Sequence, residues 1–296
     1  MERATAEVLA GWDAGVSGTA VHGDRLVHVE FVWGTAITVE LAGVGLRQSD
    51  ARTAVGACRA WFAEVDARFS PYRPLSEVTA ARNGLAHPTS RDFAEVLRQC
   101  RQVRDLTGGA FDPWRVPGGY DPSGLAKGWA AGRASTLLRG AGFADHMVNA
   151  GGDVTCAGDR HPGSGRGWRI GIVDPDHRDR VVRTVAVQDA SIATSALYER
   201  GAHVLDPRTQ QVATGADSAT VVGPDAGWAD ALASAVLVDG PGCLSWFTRL
   251  GPAWSVQLVR GGREWAHGPA FSDDAPGDSV PGDDPPGPAG PGAARP

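Results

Sequence analysis

The sequence predicts an α+β fold built mainly on antiparallel sheet. Three observations carry this: period-two hydrophobic alternation near the start, successive amphipathic helical stretches with no strand between them, and a long run of strand-like segments before the last helices. Strands that do not alternate regularly with helices disfavour a doubly wound parallel sheet. At 296 residues, with 42% hydrophobic and 21% charged content, the chain buries a sizeable core.

Residues 1–24 read as a lead segment of small, acidic and polar residues. Residues 25–41 alternate, with Val27, Val29 and Phe31 on one face, and Ile37, Val39 and Leu41 follow a Gly34-Thr35 corner. This is a strand pair or one bent strand. From Ser49 to Phe69 the spacing lengthens to three or four, through Val55, Cys58, Phe62 and Val65, which predicts an amphipathic helix. The next stretch, FSPYRPLSEVTAARNG, is read as a proline-punctuated loop. A second helix is expected from Thr89-Ser90-Arg91-Asp92, with capping-box spacing and Asp in place of Glu, buried through Phe93, Val96, Leu97, Cys100 and Val103 and stopped by Gly108.

The stretch from Thr107 to Asp153 organises the rest. Two prolines make the Asp112-to-Asp121 connection short and stiff. Asp121-Pro122-Ser123-Gly124 reads as a helix start, with an Asx-type cap and proline at the first helical position. Leu125, Trp129, Leu137 and Leu138 form the apolar side of that helix, which ends at Gly140 and Gly142. Helix N-termini present free N–H groups and partial positive charge, and Lys127 adds a full charge in the first two turns, so phosphate is the ligand to suspect. Ordinary loop chemistry is the alternative, since neither glycine-rich turn is GxGxxG or a P-loop. Strands are then expected at 145–149, 168–173, 181–187, 203–205 and 219–222, helices at 226–238 and 242–250, and a strand at 254–260. Residues from about Ser272 to Pro296 have a Pro/Gly/Asp-rich composition that offers no core, and are read as a disordered tail.

A net charge of −6 argues against nucleic acid or an anionic membrane as partner. No window approaches a membrane span and no apolar leader opens the chain, so a cytoplasmic location without membrane insertion is expected. Cys58, Cys100, Cys156 and Cys243 form no CxxC pair, which disfavours structural zinc or a redox motif and suits a reducing compartment.

Asp230 and Ser234, four apart in WADALASAV, project from one helix face. With a backbone carbonyl and a ligand phosphate they suit Mg²⁺; the alternative is a solvated polar face, narrowed here by the surrounding Ala, Leu, Val and Trp. His203 is either a packed strand-start histidine or a general base or phosphate contact. Asp112 and Asp121 serve as turn and cap residues or as ligand contacts, and Tyr72 is an exposed loop residue able to stack on a flat heterocycle. Ser195 lies outside any GxSxG, which disfavours it as a hydrolase nucleophile.

Taken together, VWGTAITVEL, FSPYRPLSEVTAARNG, TGGAFDP, DPSGLAKGWAAGRA, VNAGGDV, IATSALYERGAHVLDPRT, SATVVG and WADALASAV resemble, in order and over roughly residues 30–260, the FAD:protein FMN transferase (ApbE-like) family. The resemblance implies a T-fold-like architecture over residues 25–271 and a Mg²⁺-dependent enzyme using FAD as substrate. Such an enzyme joins FMN to a Ser or Thr hydroxyl of an acceptor protein and releases AMP. It further implies flavin contacts at Trp33, Tyr72, Ala110, Phe111, Asp112, Asp121, Lys127 and Val204. Metal ligation is implied at Gly124 and Ala233 through main-chain oxygens and at Asp230 and Ser234 through side chains, with His203 close to the reacting phosphate. An FAD pyrophosphatase giving FMN and AMP, or a flavin-binding protein without turnover, are the competing readings. Departures from the family pattern are Trp33 for the common Met, Ser234 for Thr, Gln210 for the Gly of DPRTG, and a short Asp112–Asp121 link that removes part of the usual wall of the site. Many relatives are exported lipoproteins, and no lipobox cysteine stands near the start here.

Overall fold

The structure is a computed structural model that describes residues 17–45, 47–84, 90–177, 179–197 and 204–272. Strands β1 (Gly18–His22), β2 (Arg25–Val32) and β3 (Thr35–Leu41) form an antiparallel meander. Helices α1 (Gln48–Phe69), α2 (Glu77–Arg82), α3 (Arg91–Leu106) and α4 (Ser123–Gly140) follow. Strands β4 (His146–Ala150) and β5 (Asp153–Ala157) return to the sheet, and β6 (Trp168–Val173) pairs with β7 (Val181–Val187) as a separate hairpin. Then come β8 (Ala190–Ala196), β9 (Ser218–Gly223), α5 (Ala226–Asp239), β10 (Ser255–Arg260) and β11 (Arg263–His267). The main sheet has nine strands in the order β1-β2-β3-β4-β5-β8-β9-β10-β11, every neighbouring pair antiparallel. The α+β expectation holds.

The chain makes this sheet by interrupting a meander rather than by crossing over. Antiparallel neighbours need only tight corners, and the Gly151-Gly152 corner between β4 and β5 supplies one, with φ of 68° and 108° that only glycine adopts without strain. Helices α1 and α4 close one core over β2–β4, through Leu26, Ile37, Val39, Phe62 and Leu138. A second and larger core gathers α3, α4 and α5 over β8–β10, through Val96, Leu125, Leu232, Val236 and Leu258. The β6–β7 hairpin builds a third with Val154, Cys156, Trp168, Ile192 and Val222.

Several local expectations are corrected. FSPYRPLSEVTAARNG is not all loop: Ser76 accepts from the Thr79 N–H and caps α2. Helix α3 is capped by Ser90, which accepts from the Phe93 N–H; Thr89 lies outside the described residues. Pro122 is the N-cap of α4 rather than its first residue, and Asp121 supports it by accepting from the Ser123 N–H. Leu137 is 43% exposed and does not belong to the apolar side of α4. Phe31 is exposed while Leu26, Val27, His28 and Val29 are all buried, because β2 is covered on both faces along most of its length.

The expected strand at 203–205 reduces to a single bridge between Leu205 and Val212, and the expected helix at 242–250 is a succession of short helical turns. Strands β1, β5, β8 and β11 were not anticipated, and β1 stands ahead of the expected boundary at residue 25. The expected disordered tail, apart from Ser272, lies outside the described residues. No helix among the described residues is long and apolar enough to cross a membrane.

Candidate functional site

Helices α4 and α5 approach so closely that only glycine fits at their crossing. A Cβ on Gly128 would lie 2.1 Å from the Ala226 carbonyl oxygen and 3.2 Å from Asp230 Cβ. This contact brings Asp230, on the second turn of α5, against the start of α4. Asp230 is only 4% exposed, in a helix whose other residues before the terminal Asp239 are small or apolar, so its charge requires partners. The Gly128 N–H donates to its Oδ2 at 3.4 Å, and Lys127 Nζ stands 3.9 Å away. Lys127 also donates to Asp153 Oδ2 at 2.9 Å.

This cluster lines a cleft of about 440 Å³. One side is the turn Ala110-Phe111-Asp112, and Ser123 and Gly124 open α4 beside it. Thr194, Ser195 and Ala196 of β8 line it from the sheet. Ser234, one turn beyond Asp230, shares a hydrogen bond of 3.1 Å with Ser195 Oγ, and a Cβ on Gly124 would lie 3.8 Å from Ser234 Oγ. Tyr72, 92% exposed, stands at the rim.

The short link between Asp112 and Asp121 forms part of the cleft wall, with Pro113, Val116 and Pro117 lining it. Its shape is held from three sides. Asp112 Oδ1 accepts from the Trp114 N–H, Arg82 Nε donates to the Tyr120 carbonyl, and Gln210 Nε2 donates to the Arg115 carbonyl. Gln210 does this from a left-handed conformation, φ 60°, at the position where the family pattern has glycine. Beside it Arg208 bonds both Asp206 oxygens and Asp239 Oδ1. These hydrogen bonds hold the Asp206 carboxyl below the usual carboxylate range.

Ten of the residues expected from the sequence therefore meet in one place: Tyr72, Ala110, Phe111, Asp112, Asp121, Gly124, Lys127, Val204, Asp230 and Ser234. Two do not line it. Trp33 sits in the β2–β3 corner at φ 59° with its ring edge-on to Phe62, and Ala233 is wholly buried. His203 lies outside the described residues. Three contributors were missed: Asp153, Thr194 and Arg82. All three stand within matched segments, FSPYRPLSEVTAARNG, VNAGGDV and IATSALYER, but no spacing rule connects Asp153 to a lysine 26 residues earlier.

The oxygens gathered here are hard donors, namely one buried carboxylate, one hydroxyl and the main chain at the start of α4, a set suited to Mg²⁺ when ligand phosphates complete it. No group of three His, Cys, Asp or Glu side chains able to hold a metal occurs among the described residues, and such a set does not need one. Thiol chemistry is disfavoured because burial pushes Cys58, Cys100 and Cys243 up to about 12, and raises Cys156 as well.

The chain matches the family model described as the ApbE family over residues 33–117 and 119–252. It is 26% identical over 270 residues to an FAD:protein FMN transferase from Rhodobacter capsulatus, covering 71% of this chain and 50% of that protein. It is 32% identical over 130 residues to one from Vibrio cholerae, covering 40% of this chain and 38% of that protein. The chain thus spans half or less of the length of these curated relatives. Among solved structures, the flavin transferase ApbE from Vibrio cholerae superposes with a TM-score of 0.70 at 22% identity, over 83% of this chain and 97% of that one. The ApbE protein from Thermotoga maritima also gives 0.70 at 22%, over 81% and 96%. At that identity the likeness shows the fold.

Proposed function

The chain belongs to the ApbE family, and from that premise we propose that it is a Mg²⁺-dependent FAD:protein FMN transferase acting on a Ser or Thr hydroxyl of an acceptor protein. The observation that carries the reading is the cluster of Lys127, Asp230 and Ser234 beside the start of α4, at a cleft already lined by Tyr72 and the Ala110-Phe111-Asp112 turn. A cation, a helix start and hard oxygen donors are what a bound pyrophosphate requires.

In this reading the isoalloxazine lies along Tyr72 and the Ala110–Asp112 turn, with Asp121 and Val204 as further contacts. Asp230 and Ser234 through their side chains, with Gly124 and Ala233 through main-chain oxygens, would hold Mg²⁺, which would offset negative charge on the pyrophosphate. Lys127 stabilises the same anion. The acceptor oxygen bonds to the FMN-side phosphorus as the bridging P–O bond breaks, AMP leaves with the electron pair, and His203 takes the acceptor's proton. Trp33, in the β2–β3 corner with its ring edge-on to Phe62, is a further flavin contact in this reading.

Incubating the full chain with FAD, MgCl₂ and candidate acceptor proteins, then measuring intact mass, tests it. Addition of one FMN phosphoryl group to the acceptor, abolished in Asp230→Asn, is the expected result. Free FMN and AMP at an unchanged rate without any acceptor adduct would replace the transferase with a pyrophosphatase, and no turnover would leave a binding protein.

A further inference from the structure

Lys127 stands between two carboxylates and does not treat them alike. Its Nζ is 2.9 Å from Asp153 Oδ2 and 3.9 Å from Asp230 Oδ2. The first is a charge-assisted hydrogen bond; the second is beyond hydrogen-bond distance. Both acids are almost fully buried, with side chains 6% and 5% exposed. Asp153 is presented from a stiff corner: Ala150 pairs with Asp153 across the two-glycine turn, and the Gly152 N–H donates to Asn149 Oδ1 at 2.8 Å. A Cβ on Gly151 would lie 2.7 Å from Thr35 Oγ1, so the corner is also packed against β3.

We propose that Asp153 is a positioning residue that holds the Lys127 ammonium off Asp230, keeping the Asp230 carboxylate available to a divalent cation and the ammonium available to the pyrophosphate. This rests on the metal reading of Asp230 and Ser234 given above. An ammonium and a divalent cation compete for one carboxylate, and in a buried site the competition is strong because water screens it little. With Asp153 in place the ammonium is already neutralised where it stands. With that charge removed, Asp230 is the remaining anion of the trio, and the ammonium has about 1 Å to travel before a cation must displace it.

The test is Mn²⁺ affinity, measured on the full chain with FAD bound by electron paramagnetic resonance of free Mn²⁺, alongside a thermal melt of each variant. Asp153→Asn is expected to weaken Mn²⁺ binding about tenfold or more. The double variant Lys127→Met/Asp153→Asn, which removes the ammonium itself, is expected to return Mn²⁺ affinity to within about threefold of wild type while turnover stays low. Unchanged affinity in Asp153→Asn would overturn the inference while leaving the metal reading standing. A double variant as weak as the single would also overturn it, since Asp153 would then be ligating the cation itself. If the wild type binds no Mn²⁺, the metal reading fails and takes this inference with it.

Discussion

Replacing Gly128 with alanine sets two effects of opposite sign against each other. An alanine in a helix interior is favoured over glycine by about 1 kcal/mol. Against that, the new Cβ would lie 2.1 Å from the Ala226 carbonyl oxygen, and ordinary contact begins only at 3.4 Å. Helices α4 and α5 must therefore separate by about 1.3 Å at their crossing, the difference between those two distances. The obstacle is backbone, which has no rotamer to escape into, so the cost belongs at the upper end of overpacking, about 3 kcal/mol. The net is a loss of about 2 kcal/mol, or a fall of about 4–8 °C in melting temperature for a domain of this size. Asp230 Cβ, 3.2 Å from the same point, moves with α5, and a misplacement of about 1 Å at a reacting centre costs about 10²-fold in turnover.

Gly56→Ala in α1 is the control, because its Cβ would meet nothing within 4 Å, and it should raise stability by about 0.5–1 kcal/mol. Thermal melts of both variants, with turnover alongside, decide the matter. A Gly128→Ala protein that melts at or above wild type would refute the claim that this glycine sets the helix spacing.

Gln210→Gly relieves a left-handed residue but removes the amide that donates to the Arg115 and Pro207 carbonyls. Strain of about 1–2 kcal/mol and two hydrogen bonds of about 1 kcal/mol each nearly cancel, so calorimetry should show little change while FAD titration shows severalfold weaker binding. Burial holds His28 and His146 below the ordinary histidine value of about 6.5, so both are more readily protonated when unfolded. Their contribution to stability is complete above pH 6.5 and is lost as pH falls toward the lowered folded values, so unfolding near pH 6 should take up protons; calorimetry in buffers of differing ionisation enthalpy checks this. Tyr72→Ala should leave the melting temperature unmoved, since the ring is 92% exposed, and should weaken FAD binding by about 2- to 13-fold if it stacks on the flavin, read by flavin fluorescence.

The elements legible in the sequence were those whose pattern is local. The α1 stripe of Val55, Cys58, Phe62 and Val65 is buried as its spacing requires, and β3 buries Ile37, Val39 and Leu41. Of the strands that were missed, β5 and β8 have little alternation to detect. All of β5 is buried, as is most of β8, because helices cover one face and the β6–β7 hairpin the other. Helix α2 escaped notice because its six residues follow Pro71 and Pro74 and end at Asn83-Gly84, all of which read as loop, while its cap at Ser76 is a single side-chain bond.

The site divides in the same way. By itself the sequence determined which residue types are present, that Asp230 and Ser234 share one helix face, and that Lys127 rides the start of a helix, because helical spacing is a property of neighbours along the chain. It also carried the family pattern. Only the tertiary structure decided that Lys127 bonds Asp153 in preference to Asp230, that Trp33 packs on Phe62, and that Pro113, Val116 and Pro117 of the short link line the cleft. Those outcomes depend on how closely α4 and α5 approach at Gly128 and on where the Gly151-Gly152 corner aims β5. Such distances are set by packing between segments remote in sequence, where no local periodicity leaves a trace.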